Sequence, residues 1–292
     1  MIIQGREITS EDIALIREMI SSHPSWGRTR ISKELALLWR WRADNGQLKD
    51  MACRSLLLKL EKRGYISLPA RKRPSGGNKG KKKSFPYVPH STSLVSGKLK
   101  SIVPLNIELV KDKEHLRLFK YLLSRYHYLG FGGVVGENLK YLVFDKDKRP
   151  LALLLFGSAA WKIAPRDSFI GWDESTRKKN LHLLTNNRRF LILPWVKVPH
   201  LASHILGKVA RRIRGDWIKR YNHPVYMLES FVDKERFRGT CYQASNWIYV
   251  GQTKGRGRND RHGSLKVPIK DIYLLPLVKR FREILTCNSH NL

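Results

Sequence analysis

Six side chains between residues 127 and 242 combine a reactive type with a suggestive neighbourhood. Glu229 lies late in the apolar run Pro224-Val-Tyr-Met-Leu-Glu-Ser-Phe-Val232. A carboxylate in such a run must be paired, raised in pKa, or set at a strand end facing a cleft. A catalytic base and a structural ion pair with one of the many basic residues stand level there. Cys241 and Tyr242 open a short, small, polar stretch, Gly239 to Asn246. A helix N-terminus lowers the pKa of a thiol and lets a phenol reach outward, although burial is the commoner fate of a cysteine. His127 and Tyr128 share the Gly-rich loop Tyr126-His-Tyr-Leu-Gly-Phe-Gly-Gly133. They suit base stacking or proton transfer, with aromatic packing the commoner role. Asp167, between Arg166 and aromatic residues, reads first as half of an Arg–Asp pair. Mg²⁺ beside Asp167 or Glu229 would mark strand cleavage. No Walker loop, HUH motif, DDE triad or zinc spacing occurs in the sequence.

The elements that would position these residues follow α/β grammar. Phe190–Val198 is apolar and β-prone. His200 to Ile213 has a helical period, with Leu201, Ile205, Leu206, Val209 and Ile213 on one stripe. Pro224–Val232 and Trp247–Gly251 read as further strands, with a short helix between them capped by Thr240. Upstream, Leu105–Val110 is a strand and Lys113 to Tyr126 a helix. Leu139–Phe144 and Pro150–Phe156 flank Asp145-Lys-Asp-Lys148 as a hairpin. Arg177 to Thr185 reads as a helix ended by Asn186-Asn187. Asp271–Pro276 and Phe281–Leu285 pack back on the sheet.

Residues 1–73 read as a separate unit. Thr9 or Ser10 caps a first helix, Trp26–Arg30 is a loop, Ile31 to about Trp39 is a second helix, and Leu48 to Lys62 is a third. Asp44-Asn-Gly46 is a turn signal, Gly64 a C-cap, and Tyr65–Leu68 the start of a strand before Arg71-Lys-Arg73. Three helices and a basic hairpin make the winged helix-turn-helix plan, in which the third helix enters the major groove and the wing rests on phosphates. Arg28, Arg30, Lys49, Arg54, Lys59, Arg63, Arg71, Lys72 and Arg73 are its expected DNA contacts. The bland alternative is an accessory bundle with a solvated basic face. Residues 74–100 read as a basic flexible linker in which Lys81, Lys82 and Lys83 track phosphates. Residues 101–292 form the α/β domain, and Arg256 and Arg258, spaced by glycines, are further phosphate contacts.

Composition bounds the partner. Lys and Arg number 56 against 24 Asp and Glu, a net charge of +32. Such a charge repels itself unless a polyanion neutralises it, and nucleic acid is the expected polyanion, duplex or single-stranded. The longest apolar run, Leu151 to Trp161, is short of the roughly 18 residues of a membrane span, and Glu7, Glu11 and Asp12 interrupt any signal-peptide form. Three scattered cysteines fit a reducing cytoplasm, with the protein on the nucleoid when bound.

Two resemblances add to this reading. The order strand, helix, hairpin, strand, long helix, strand, short helix, strand over about 102–253 resembles the GNAT acyltransferase fold. Together with the plan read in residues 1–73, that gives an α+β chain: a winged helix-turn-helix followed by a GNAT-like mixed sheet with flanking helices. In that family a glycine-rich turn before the long helix binds coenzyme A; here Val198-Pro-His-Leu-Ala-Ser-His204 has no glycine, which speaks against coenzyme A. The family also implies a strand carrying Glu229 that splays from its neighbour and a short helix presenting Tyr242 as general acid. Glu229 and Tyr242 would then reach one pocket, with His127 or Trp172 on its rim. The opposing expectation is a Glu229–Arg core pair and an inward Tyr242.

The segments His127-Tyr-Leu-Gly130, Ala164-Pro-Arg-Asp167, Ile170-Gly-Trp172, Asn187 with Arg189-Phe-Leu-Ile192, Leu201-Ala-Ser203, Arg236–Tyr242, Asn246-Trp247 and Gly251-Gln-Thr253 resemble the DruA-like proteins of the Druantia anti-phage system. Relatives of these occur as transposase-like genes in mobile elements. The resemblance implies a setting among other defence-system or mobile-element proteins and assigns no chemistry. Three functions follow: a transposase- or nuclease-like DNA-processing protein, which leads narrowly; a GNAT-like nucleobase-modifying enzyme; and a non-catalytic DNA-recognition module.

Overall fold

The computed structural model describes residues 1–3, 6–42, 46–71, 85–255 and 267–287. The expected contacts Lys72, Arg73, Lys81, Lys82, Lys83, Arg256 and Arg258, and Asp44-Asn45 of the expected turn, lie outside the described residues. The chain divides into two compact units, Met1–Lys81 and Lys82–Leu292.

In the first unit an antiparallel pair, β1 (Ile2–Ile3) and β2 (Arg6–Glu7), precedes α1 (Ser10–Ser22), α2 (Arg28–Leu38) and α3 (Asp50–Lys62). Thr9 and Asp12 cap α1 reciprocally: the Asp12 amide donates to Thr9 Oγ1 at 3.2 Å, and the Thr9 amide to Asp12 Oδ2 at 3.0 Å. Ile16, Ile31, Leu35, Leu56 and Leu60 close the core between the helices. Two sequence expectations shift. Arg28 and Arg30 belong to the first turn of α2, not to a loop. Tyr65–Leu68 forms no strand. Side chains give that segment its partners instead, with Arg17 Nε donating to Tyr65 O and the Leu68 amide to Glu61 Oε1.

The second unit is built on a seven-stranded mixed sheet. Its elements are β3 (Val95–Ser96), β4 (Asn106–Leu109), α4 (Lys113–Tyr126), β5 (Asn138–Phe144), β6 (Pro150–Ser158), α5 (Ala164–Ile170), α6 (Glu174–Asn180), β7 (Leu184–Ile192), β8 (Val196–Lys197), α7 (Leu201–Tyr221), β9 (Met227–Asp233), α8 (Thr240–Gln243), β10 (Ile248–Gln252), β11 (Lys270–Pro276) and α9 (Phe281–Thr286). The sheet order is β10-β11-β9-β7-β6-β5-β4, and β3 pairs separately with β8. All its pairings are antiparallel except β7–β9, which α7 connects as a crossover. This is a mixed α+β unit whose large sheet resembles the GNAT fold in element order and in the parting of β7 from β9. Val95, inside the stretch expected as linker, is buried in its core.

The strands at the centre are covered on both faces. Leu228 and Val232 of β9 and Tyr273 of β11 pack with Leu201, Ile205, Leu206, Val209, Ile213 and Trp217 of α7. Each such side chain contributes roughly 1.5–3 kcal/mol on burial. Met227 and Phe231 of β9 and Ile272 and Leu274 of β11 pack on the opposite face with Ile170, Phe281 and Leu285. Residues of one strand therefore alternate strictly between two different helical layers. Asn186-Asn187, which reads in sequence as a helix end, lies inside β7. Local turn preference yields there to ladder pairing with β6 and β9.

Candidate functional site

The parallel ladder between β7 and β9 covers only Leu184–Met227, Thr185–Leu228 and Asn186–Glu229. Beyond it the two strands run on, to Ile192 and Asp233, without pairing to each other. A β-bulge accounts for the parting. Leu155 of β6 opposes Arg189 and Phe156 opposes Asn187, so Arg188 is the extra residue. A bulge bends its strand and increases its twist. Gly157 makes room for it, because a Cβ there would meet Arg188 Cδ at 2.8 Å.

The wedge is a cleft of about 630 Å³, within the range of small-ligand sites. Among the described residues its charged lining is Arg188, Arg189, Arg238 and Lys270 against the carboxylate of Asp233. Arg189 Nη1 donates to Arg188 O at 2.7 Å and Nε to Gly130 O at 3.3 Å. Those are carbonyl partners, so its charge is not neutralised by them. Gly239, left-handed at φ 71°, closes one end. A Cβ there would meet Tyr273 Oη at 2.5 Å, so only glycine fits.

Of the five expected catalytic residues, His127, Cys241 and Tyr242 line this cleft, while Glu229 and Asp167 do not. Burial and the neighbouring Arg189 hold the His127 imidazole down to a pKa of about 4. Its Nδ1 accepts from the Leu129 amide at 3.1 Å, so the neutral ring carries its proton on Nε2 and offers a donor, not a base. Burial raises the Cys241 thiol, which is therefore no activated nucleophile. Tyr242 Oη donates to Asn187 Oδ1 at 2.8 Å, and burial pushes the phenol above its ordinary pKa. It is a poor general acid and a good anchor for Asn187. Asn187 is 4% exposed, and its Nδ2 has no hydrogen-bond partner. A buried amide left so costs about 1–3 kcal/mol, which a ligand or water entering the cleft would recover.

Glu229 and Tyr242 do not meet, contrary to the expectation of a shared pocket. Ser230, not Glu229, is on the cleft. Glu229 faces the α5 layer, where Arg166 Nη1 donates to its Oε2 at 2.8 Å and the Ala160 amide to its Oε1 at 2.6 Å. Both side chains are fully buried. Burial pushes the Glu229 pKa up and Arg166 opposes it. Arg166 also grips Asp167 Oδ1 through Nε at 2.9 Å and Nη2 at 2.7 Å. Asp167 is completed by Trp172 Nε1 at 3.0 Å, the Ile163 amide and Arg177. Trp172 is thus a core partner and not a rim residue. A guanidinium between the two carboxylates leaves no place for Mg²⁺. Among the described residues no group of three or more His, Cys, Asp or Glu is set to hold a metal ion. For coenzyme A, the turn before α7 has no glycine; His200 itself takes the left-handed conformation, at φ 64°.

The basic candidates of the first unit also separate. Arg28 is an internal clamp: Nη1 and Nη2 bind Glu61 at 3.1 and 3.0 Å, and Nε binds Pro69 O at 2.7 Å. It is not available to a phosphate. Arg54 is half-buried, with Nε unpartnered. Lys49, Lys59 and Arg71 are exposed. Arg63 is exposed with Nη1 on Met1 Sδ, and Arg30 lies over the Trp26 ring.

The cleft missing from the sequence reading is that of Arg189, Arg238, Lys270 and Asn187. The Arg188-Arg189 pair inside a strand is its visible signal. Fold and site together define an α+β protein with a cationic cleft in a sheet of GNAT-like order. The chain belongs to the Druantia protein DruA family, whose model matches residues 59–270. No curated protein matches the sequence. Among solved structures it is similar to a spermidine/spermine N-acetyltransferase from Vibrio cholerae solved with manganese ions (10% identity, TM-score 0.39, covering 59% of this chain and 92% of that one). A spermidine N-acetyltransferase from the same organism, in complex with CoA and spermine, gives 9% identity and TM-score 0.40, covering 59% and 95%. A putative acetyltransferase from Acinetobacter baylyi ADP1 gives 10% and 0.39, covering 59% and 92%. The strand order itself carries the fold assignment. No helix among the described residues is long and apolar enough to cross a membrane.

Proposed function

We propose that this DruA-family protein is a DNA-binding component of an anti-phage system, holding DNA in the cleft between β7 and β9. Among the described residues the cleft sets four cationic side chains against one carboxylate, in a chain of net charge +32, and this carries the reading. Phosphate contacts of this kind dominate nucleic-acid affinity. The first unit contributes the three-helix part of the winged helix-turn-helix plan, with α3 in the major groove and Lys49 and Lys59 exposed along it. Of the three functions raised by the sequence, recognition of DNA fits the site best, because Glu229 and Asp167 are committed to Arg166. Group transfer to a base is the second reading, favoured by the parted parallel strands. Partner proteins of the same defence system would supply cleavage or transfer.

The test is duplex binding by the full chain across a salt series. Binding should weaken linearly in log–log form. Lys49→Ala with Lys59→Ala should flatten the slope by about 0.9 for each phosphate that these lysines no longer neutralise. Wild-type affinity indifferent to salt would remove the proposal.

A further inference from the structure

The rim of the cleft holds aromatic rings that its charge alone does not call for. His127 stacks on Tyr128 with centroids 4.8 Å apart and planes inclined by 27°. Phe237 follows at 5.6 Å from Tyr128, and the Arg236 guanidinium sits over the Tyr128 ring at 5.1 Å. Tyr128 and Phe237 are 40% and 51% exposed. Large rings in contact with water lose favourable burial, and these two stand next to Arg189 and Arg238 on one opening. Inside the opening waits the partnerless Nδ2 of Asn187. Rings at the mouth, guanidinium groups beside them and one buried donor within match the parts of a nucleotide: base face, phosphate and base edge.

Duplex DNA cannot use that arrangement, because its bases are already stacked on one another. A single strand or an extruded nucleotide can. Resting on the DNA-binding reading above, we propose that Tyr128 and Phe237, backed by His127 and Arg236, form a stacking platform that selects single-stranded over duplex nucleic acid. Arg189 and Arg238 take the phosphates of the stacked nucleotides. The Asn187 amide meets the edge of the base that enters the cleft. The duplex is left to the basic surface of the first unit, so the two strand states are bound by different residues.

The experiment measures fluorescence anisotropy of the full chain with a labelled oligothymidylate, the RNA oligouridylate of equal length, and a blunt duplex. Tyr128→Ala with Phe237→Ala should weaken oligothymidylate binding roughly tenfold or more, the size expected when base–aromatic stacking is removed, and leave duplex affinity unchanged. Tyr128→Phe, which keeps the ring, should bind like wild type, and a thermal midpoint of the second unit near wild type in the double variant excludes a folding defect. Single-strand affinity untouched by the double substitution, or an equal loss for both strand states, overturns the platform and leaves DNA binding standing. Wild type that binds neither DNA form overturns both. Equal affinity for the RNA oligomer supports a platform that reads base faces without the sugar, whereas RNA binding far above DNA overturns the assignment of DNA as its ligand.

Discussion

Glu229 and Ser230 are neighbours on one strand and belong to two different worlds. Glu229 looks into the α5 layer, where each carboxylate oxygen has a donor and the facing guanidinium is used on several sides. Ser230 looks into the cleft, where Asn187 Nδ2 has no partner and cations outnumber carboxylates. Both faces are polar, so polarity does not distinguish them. Satisfaction does. A buried charge whose hydrogen bonds are complete holds the fold together, and a buried donor left open points toward something that arrives later. The first unit repeats the contrast on a smaller scale: Arg28 is closed by Glu61 and Pro69, while Lys59 stands in solvent.

Removing the hub of the closed face is the strongest way to break this distinction. Arg166→Ala leaves Glu229 and Asp167 without their shared cation inside the protein. Removing one partner of a buried pair costs about 3–5 kcal/mol, so a large drop in the thermal midpoint is expected. Oligonucleotide affinity of the fraction that remains folded should be near wild type, because no cleft residue is touched. Normal stability together with abolished binding would invert the assignment and return Glu229 and Asp167 to the functional site.

That the sequence does not separate the two faces has a physical reason. A half-buried strand announces its faces by alternating polar and apolar residues. β9 is covered on both sides, and Met227, Leu228, Phe231 and Val232 are apolar on either parity. Glu229 and Tyr242 can thus be placed in one strand–helix unit, yet the side of the sheet each faces is not written in the pattern. Helix α4 is legible to the residue, since the Asp112 cap and a clear apolar stripe agree. Helix α7 reads as ending at Ile213 because Arg214-Gly-Asp216 interrupts the period. Trp217, buried one turn later, carries the stripe on to Tyr221. The parting of β7 and β9 depends on the bulge at Arg188, a register event between strands that local sequence does not encode.

His127 sharpens the open side of the comparison. Its imidazole, held down to about 4, stays neutral in the fold while an unfolded chain titrates near 6.5. The folded form therefore binds fewer protons over that interval. The stability contributed is complete above about pH 6.5 and is lost as pH falls through about 4. His127→Phe should flatten the acid limb of stability against pH, and the ring proton shifts of His127 in wild type should titrate near pH 4. A midpoint near the unfolded value would mean that the ring is freely solvated and does not back Tyr128.

The smallest expected effect tests whether Tyr242 is an anchor or an acid. Its hydroxyl donates to Asn187 Oδ1 at 2.8 Å with Ser230 beside it, and its ring lies between Trp247 and Tyr273. Tyr242→Phe keeps the ring contacts and deletes the bond. A typical hydrogen bond contributes roughly 0.5–1.5 kcal/mol net, so unfolding stability should fall by that much, seen as a lower denaturant midpoint at unchanged slope. Asn187 would then be free to turn its amide, and single-strand affinity should drop by a small factor, while Asn187→Ala lowers it further by removing the donor itself. Duplex affinity should follow neither change. A Tyr242→Phe protein of wild-type stability and affinity that no longer carried out a measured reaction on DNA would make the phenol a chemical group, and the open face a catalytic one.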